Sequence, residues 1–169
     1  MRSRAGVVVA ALLCSCAPQP RWDAAARRLR IGELSYRVGP LGPAWRLVHV
    51  EKAELTFHDQ AAGGVVTANA TCRDDAEGAS LEALTERLLV GWTDRRDLGR
   101  ELVTLDGRAA LHTVVAARLD GVPMVLDLYV LKRNGCVFDL SYVAAPDRRA
   151  VGADDFARFV AGFLDERRA

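Results

Sequence analysis

The segment that decides the fold runs from Glu101 to Val143 and reads ELVTLDGRAALHTVVAARLDGVPMVLDLYVLKRNGCVFDLSYV. Its apolar runs are separated by Asp106-Gly107, Asp120-Gly121 and Arg133-Asn134-Gly135. Asp-Gly and Asn-Gly are strong hairpin signals, because these residues tolerate the positive φ angles of a tight turn. The segment therefore predicts four consecutive antiparallel strands, at 101–105, 109–118, 124–131 and 136–143.

The alternation of apolar side chains predicts the register of the first two hairpins. Residues that face each other across paired strands point to the same side of the sheet. Two-residue turns at the Asp-Gly pairs place Leu102 opposite Leu111 and Val115 opposite Leu126. One face is then continuously apolar, and we expect a helix to pack on it.

The third hairpin is predicted to have a three-residue loop with Gly135 in the left-handed conformation. This loop places Leu128 opposite Leu140 and Val130 opposite Phe138, so that the apolar faces of both strands coincide. A two-residue loop would place these apolar residues on different faces.

Shorter elements flank this segment on both sides. Apolar runs between turn residues predict earlier strands at 34–38, 46–50, 53–58 and 64–72. A first helix is expected to begin after an N-cap at Ser80 and to continue to Trp92. A final helix is expected to begin at an acidic pair, Asp154 and Asp155, and to end at a basic pair, Arg167 and Arg168, which matches the helix dipole. Its apolar stripe consists of Phe156, Phe159, Val160, Phe163 and Leu164.

These elements predict a single α+β domain over residues 32–169, with a twisted, mainly antiparallel sheet flanked by helices. The order of elements, with Phe138-Asp139-Leu140-Ser141-Tyr142 before a Phe-rich last helix, resembles the Mog1/PsbP-like α/β/α sandwich. The resemblance covers roughly Leu34 to Leu164 and implies an accessory or assembly role, without a catalytic signature.

The first residues have the composition of a signal peptide. Arg2 and Arg4 precede an uncharged apolar run over 5–13. This run is much shorter than the roughly 20 residues that a membrane-spanning helix needs. An ordinary secretory signal and a lipoprotein signal both fit these features.

The residues that follow favour the lipoprotein signal. Leu13-Cys14-Ser15-Cys16 resembles the lipobox of bacterial lipoproteins, in which a small residue precedes the acylated cysteine. The resemblance implies a signal peptide at 1–15, lipidation of Cys16, and a tether at 16–31 that holds the domain off the bilayer. Ala17 after the cysteine favours the outer membrane over the inner one, since Asp there resembles an inner-membrane retention signal.

Two other cysteines remain in the predicted mature chain, Cys72 and Cys136. In an oxidising compartment they are expected to form a disulfide, and two buried free thiols are the alternative. The spacing of the cysteines and the dispersed histidines do not resemble a zinc site, so neither a metal nor a cofactor is expected.

The predicted registers also bring polar residues together on the second face of the sheet. Glu101, His112, Tyr129 and Asp139 form one row, and Asp127 is a diagonal neighbour opposite Ser141. The row is either a ligand or acid–base site in which a carboxylate tunes the histidine, or the solvated face of an antiparallel sheet.

Three functions remain open from the sequence. The first is a non-enzymatic envelope protein that binds a protein partner and assists assembly or transport. The second is a periplasmic module that binds a small ligand or lipid, and the third is an enzyme that uses Glu101, His112 and Asp139. The balanced charge of 23 basic and 22 acidic residues gives no reason to expect a nucleic-acid partner.

Overall fold

The computed structural model describes residues 19–61, 63–72 and 78–167. The predicted signal peptide and Cys16 lie outside these residues. The strands are β1 (Arg21–Asp23), β2 (Arg28–Ile31), β3 (Leu34–Arg37), β4 (Trp45–Val48), β5 (Leu55–Asp59), β6 (Gly64–Cys72), β7 (Thr93–Leu105), β8 (Arg108–Leu119), β9 (Val122–Arg133), β10 (Cys136–Ala144) and β11 (Leu164–Asp165). The helices are α1 (Leu81–Leu88) and α2 (Arg149–Ala161).

The strands form two antiparallel sheets. The large sheet has seven strands in the order β4-β5-β6-β10-β9-β8-β7, and the small sheet has four in the order β1-β2-β3-β11. Helix α1 packs on one face of the large sheet through Leu84 and Leu89. Helix α2 and the small sheet cover the other face, where they share the main core. The predicted α+β class is thus confirmed.

Two-residue turns join the last four strands of the large sheet. Their first residues, Asp106, Asp120 and Asn134, have φ angles of 48°, 49° and 48°. The glycine that follows each of them also has a positive φ, which is the geometry of a type I′ turn. The two Asp-Gly registers are confirmed, with Leu102 opposite Leu111 and Val115 opposite Leu126.

The predicted three-residue loop of the third hairpin is wrong. Arg133 pairs directly with Cys136, so the loop contains only Asn134 and Gly135. Leu140 therefore lies opposite Tyr129, and Phe138 lies opposite Leu131. This shift by one residue is possible because β9 is apolar on both faces, with α1 on one side and α2 on the other.

Strands replace part of the predicted tether. Residues 21–23 and 28–31 form β1 and β2, and Leu29 is fully buried in the main core. One arginine of this segment, Arg28, forms an ion pair with Glu166, and Arg37 on β3 pairs with the same carboxylate. A tether that continues to residue 31 is therefore wrong, and the domain begins about ten residues earlier than residue 32.

The last helix also differs from its prediction. It begins at Arg149, before the acidic pair, and ends at Ala161. Gly162 has no room for a side chain, since a Cβ there would lie 2.3 Å from the Cα of Gly39. The chain turns at this close contact and continues into β11, so Leu164 belongs to a strand and Arg167 does not close the helix.

Cys72 and Cys136 lie opposite each other on β6 and β10 and are joined by a disulfide. The bridge closes a loop with a sequence separation of 64 residues. In the chain-entropy model, a loop of this length is worth about 4 kcal/mol of stability. It ties β10, at the centre of the large sheet, to the hairpin that carries β5 and β6.

Candidate functional site

A ladder of charged side chains crosses the large sheet from its β7 edge to helix α2. It consists of Glu101 on β7, His112 on β8, Asp127 on β9 and Arg149 at the start of α2. The first three lie on the same face, because Glu101 pairs with His112 and Asp127 is two residues from Tyr129, the partner of His112. We call these four residues the charged ladder.

Each step of the charged ladder is a direct contact. Asp127 accepts at Oδ1 from His112 Nε2 at 2.7 Å, and its Oδ2 accepts from Arg149 Nη2 at 2.7 Å. The other ring nitrogen of His112 lies 3.2 Å from Glu101 Oε1. The ring is stacked on Tyr129, with their centroids 4.1 Å apart. Protonated His112 and Arg149 together balance the two carboxylates.

The surroundings of His112 favour its charged form. The hydrogen bond to Asp127 raises the pKa of the imidazole above its ordinary value of 6.5, burial lowers it, and Glu101 raises it further. Asp127 is 7% exposed, whereas the side chain of Glu101 is 66% exposed. The charged ladder is thus buried at Asp127 on β9, partly exposed at Arg149 on α2 and open to solvent at the β7 edge.

The chemistry of the charged ladder is that of a structural ion network. A general base needs a free ring nitrogen within reach of its substrate. Both nitrogens of His112 face carboxylates, and both oxygens of Asp127 are also engaged. The geometry therefore favours positioning of β7 and α2 over proton transfer.

Asp139 does not belong to the row in which the sequence placed it. With the two-residue loop it lies opposite Val130 and Asn69, on the other face from His112. Its Oδ1 accepts from Asn69 Nδ2 at 3.0 Å, and burial raises the pKa of its carboxyl. Asp127, in turn, lies opposite Tyr142 and not Ser141. The predicted row is therefore corrected to Glu101, His112, Tyr129 and Asp127.

Arg149 of the charged ladder was not predicted from the sequence. It lies in a turn-rich stretch after β10, and nothing in the local pattern indicates its partner. Tyr142 holds it in place, since the Tyr142 hydroxyl donates to the carbonyl oxygen of Arg149 at 3.1 Å. Only the packing of α2 on the sheet brings this side chain to Asp127.

A second polar cluster, also missed by the sequence, surrounds Glu54. Its carboxylate accepts from the Ala70 N–H at 2.9 Å and from the Tyr36 hydroxyl at 3.3 Å. Burial raises the pKa of Glu54 to about 7; the two hydrogen bonds oppose this shift, and repulsion from Asp139 adds to it. The carboxylate satisfies a backbone N–H just beyond the last β5–β6 pair, Leu55 with Ala68.

Strand β7 forms the edge of the large sheet at the solvent-exposed end of the charged ladder. It has 13 residues, and those from 93 to 102 are all exposed. Leu98 is 49% exposed and Leu102 is 66% exposed. Its pairing with β8 shifts register twice before Gly99 and is regular from Gly99 to Leu105.

An aromatic cavity lies between the small sheet and the start of the large one. Its volume is about 220 Å³, below the roughly 300 Å³ at which ordinary small-molecule sites begin. By its volume this cavity does not favour the ligand-binding hypothesis, whereas a second cleft, of about 440 Å³ and lined by Trp22, Leu47 and Glu54, lies within the ordinary range. Within residues 19–61, 63–72 and 78–167, no group of three or more His, Cys, Asp or Glu side chains could hold a metal ion.

Solved structures share the arrangement of these elements. LpqN, involved in cell envelope biogenesis of Mycobacterium tuberculosis, matches with a TM-score of 0.58 and 17% identity over 78% of this chain and 84% of its own. Cyanobacterial PsbP (CyanoP) from Synechocystis sp. PCC 6803 matches with a TM-score of 0.55 and 14% identity over 98% of both chains. The chain has a PsbP-like fold.

The comparison of sequences adds no closer relative. No family model matches the chain, and no curated protein matches it at a significant level. At these identities the structural likeness shows the fold alone, so function has to be argued from this chain's own surfaces. No helix among the described residues is long and apolar enough to cross a membrane.

We expect His112 to make stability depend on pH. Its pKa is raised on folding, so its contribution is fully present below pH 6.5 and is lost as the pH rises through the raised pKa. Between pH 6 and pH 9, wild type should lose stability relative to His112→Gln, by about 1 kcal/mol once partial exposure of the ring is allowed for. Urea unfolding at each pH measures this difference, with His49→Gln as the control outside the network. Parallel pH profiles for wild type and His112→Gln would contradict it.

Glu54 should also make the protein less stable as the pH rises, over a more acidic pH range than His112. Its pKa rises from 4.5 to about 7 on folding, so stability falls as the pH rises through this interval. Glu54→Gln keeps an oxygen acceptor and carries no charge. Thermal unfolding should show that this variant is more stable than wild type at pH 8, with a free energy of unfolding higher by on the order of 1 kcal/mol after allowing for solvent. At pH 5 the two proteins should be equally stable. Glu51→Gln on the exposed neighbouring turn is the control, and a loss of stability at both pH values would refute the expectation.

Proposed function

We propose that this protein is a non-enzymatic accessory lipoprotein of the cell envelope, which binds an extended segment of a protein partner along strand β7. The observation that carries the proposal is the free edge of the large sheet. Among the residues that the structure describes, β7 is regularly paired from Gly99 to Leu105 on one side only, and it is the last strand in the sheet order. Its outer N–H and C=O groups are available to an added strand.

The edge disfavours a second copy of this chain. Natural proteins block self-pairing at sheet edges with charged side chains and β-bulges. Strand β7 carries both, with arginines and acids along its length and register shifts before Arg96 and before Gly99. In a two-fold antiparallel pairing centred on Arg100 or Glu101, like charges would face each other. A partner of different sequence avoids this repulsion.

The charged ladder supports the same role. It connects Glu101 on the edge strand through His112 and Asp127 to Arg149 on α2. An added strand binds more tightly to an edge that is already held in one conformation, because less conformational entropy is lost. With both ring nitrogens of His112 engaged, the residues that an enzyme would use serve instead to hold this edge.

The envelope location rests on the lipobox-like residues Leu13-Cys14-Ser15-Cys16. The Cys72–Cys136 disulfide agrees with an oxidising compartment. The shared fold of LpqN, which is involved in cell envelope biogenesis of Mycobacterium tuberculosis, is also in keeping with it. We include the outer membrane in the proposal, because Ala17 and not Asp follows the cysteine.

Lipidation has a direct test in the intact mass of the protein extracted from membranes. We expect a chain that lacks residues 1–15 and carries acyl groups on Cys16, with no uptake of a thiol label after denaturation. Density-gradient separation of the two membranes should place it in the outer-membrane fraction. An unacylated mass would overturn the anchor, and label uptake would show that Cys72 and Cys136 are not bridged.

Partner binding has a separate test with a photo-crosslinking amino acid in living cells. Placed at Leu102 on the β7 edge, it should yield an adduct with one envelope protein. The matched control is Val151 on α2, which is 59% exposed against 66% for Leu102. The purified partner should then slow hydrogen exchange of the backbone amides between 99 and 105. Equal adducts at both positions, or unchanged exchange along the edge, would refute strand addition.

A further inference from the structure

The N-terminal end of the described chain packs against the body of the domain. Gln19 and Pro20 line a cleft of about 440 Å³ together with Trp22. The ring of Trp22 contacts Phe57 edge-on, with the centroids 5.7 Å apart. The other residues of the cleft come mainly from β4, β5 and the turn between them: Leu29, Leu47, Val48, His49, Ala53, Glu54 and Leu55.

Only a short stretch of chain separates this cleft from the proposed anchor. Ala17 and Pro18 are the two residues between Cys16 and Gln19. Three Cα–Cα steps span at most about 11 Å. An acylated Cys16 would therefore hold Gln19, which lines the cleft, within this distance of the anchored cysteine. The domain has no tether long enough to leave the membrane surface.

The rim that follows β4 has the composition of a membrane-contacting surface. Leu47 is 52% exposed and Val50 is 44% exposed. Exposed cationic side chains lie on either side of them, Arg46 and Lys52, and with the exposed Glu51 counted the turn 46–52 carries a formal charge of +1. Apolar side chains that enter the headgroup region and flanking cations that meet anionic lipid are the features of interfacial membrane binding.

We propose that the turn between β4 and β5, residues 46–52, seats the domain on the bilayer that holds its anchor, with Leu47 and Val50 in the headgroup region. This rests on the acylation of Cys16 in the proposed function. The short chain between Cys16 and Gln19 and the exposure of Leu47 and Val50 both indicate that an anionic lipid surface covers this turn. We call this membrane-contacting turn the seat. It is inferred from residues 19–22 and 46–52 and does not depend on the partner at β7.

The seat also sets the direction of the partner edge. Strands β4 and β7 are the two opposite edges of the seven-stranded sheet. Six strand spacings of about 4.8 Å separate them, or about 30 Å. A domain seated at β4 would present β7 away from the bilayer.

The test uses the acylated full chain in vesicles of phosphatidylethanolamine and phosphatidylglycerol, with brominated lipids as fluorescence quenchers. The variants Val50→Trp and Leu102→Trp each add one tryptophan at an exposed position, on the seat and on the far edge. We expect brominated lipid to reduce the fluorescence added by Val50→Trp at least twofold and to leave that added by Leu102→Trp unchanged. Equal insensitivity of both would overturn the seat.

A second measurement needs no tryptophan. A photoactivatable phospholipid should label residues 46–52 of the wild-type chain and not residues 99–105. The label should be lost from Leu47→Ser/Val50→Ser and kept in the matched pair Leu98→Ser/Leu102→Ser. Intact mass of the same samples reports acylation separately, so a failed seat is distinguished from a failed anchor.

If the Val50→Trp signal changes with protein concentration in unbrominated vesicles, a second copy covers the surface and the seat is wrong.

Discussion

The length of three turns decides which way each side chain of the large sheet points. Two-residue turns at Asp106, Asp120 and Asn134 determine which residues of β7 to β10 lie on the same face of the sheet. We call this assignment of residues to faces the parity. A single extra residue in the last turn would exchange the two faces of β10. Phe138 and Leu140 would then leave the main core, and Asp139 would enter it. Core, charged ladder and the Glu54 cluster all depend on this parity.

The parity also brings charges of opposite sign together where the sheet meets α2. Asp127 is nearly buried, and a lone carboxylate there would carry a large desolvation cost. His112 and Arg149 offset that cost from two different elements. The result is a network that connects the middle of the protein to its most exposed strand. Edge strands are commonly the loosest parts of a sheet, and here one end of the edge is fixed.

The sequence predicts those features that depend on neighbouring residues. Asp-Gly turns, the N-cap at Ser80 and the apolar face under α1 are local patterns, and the structure has all of them. The third turn was mispredicted because only one apolar face of β9 was used to choose the register, whereas both faces of β9 are buried and the other face pairs with Phe138 and Leu140.

The features that the sequence did not predict depend on contacts between distant parts of the chain. In the arginine-rich start of the domain, Arg28 binds Glu166, which lies 138 residues later in the chain. Three of the four residues of the charged ladder follow from strand pairing, namely Glu101, His112 and Asp127, whereas Arg149 follows only from helix packing. The disulfide has a consequence for the order of events in the cell: a chain kept reduced lacks about 4 kcal/mol, a large share of the 5–15 kcal/mol that holds a typical domain folded. In the envelope location proposed above, the reduced chain would be easier to keep unfolded during export, and oxidation afterwards would make folding harder to reverse.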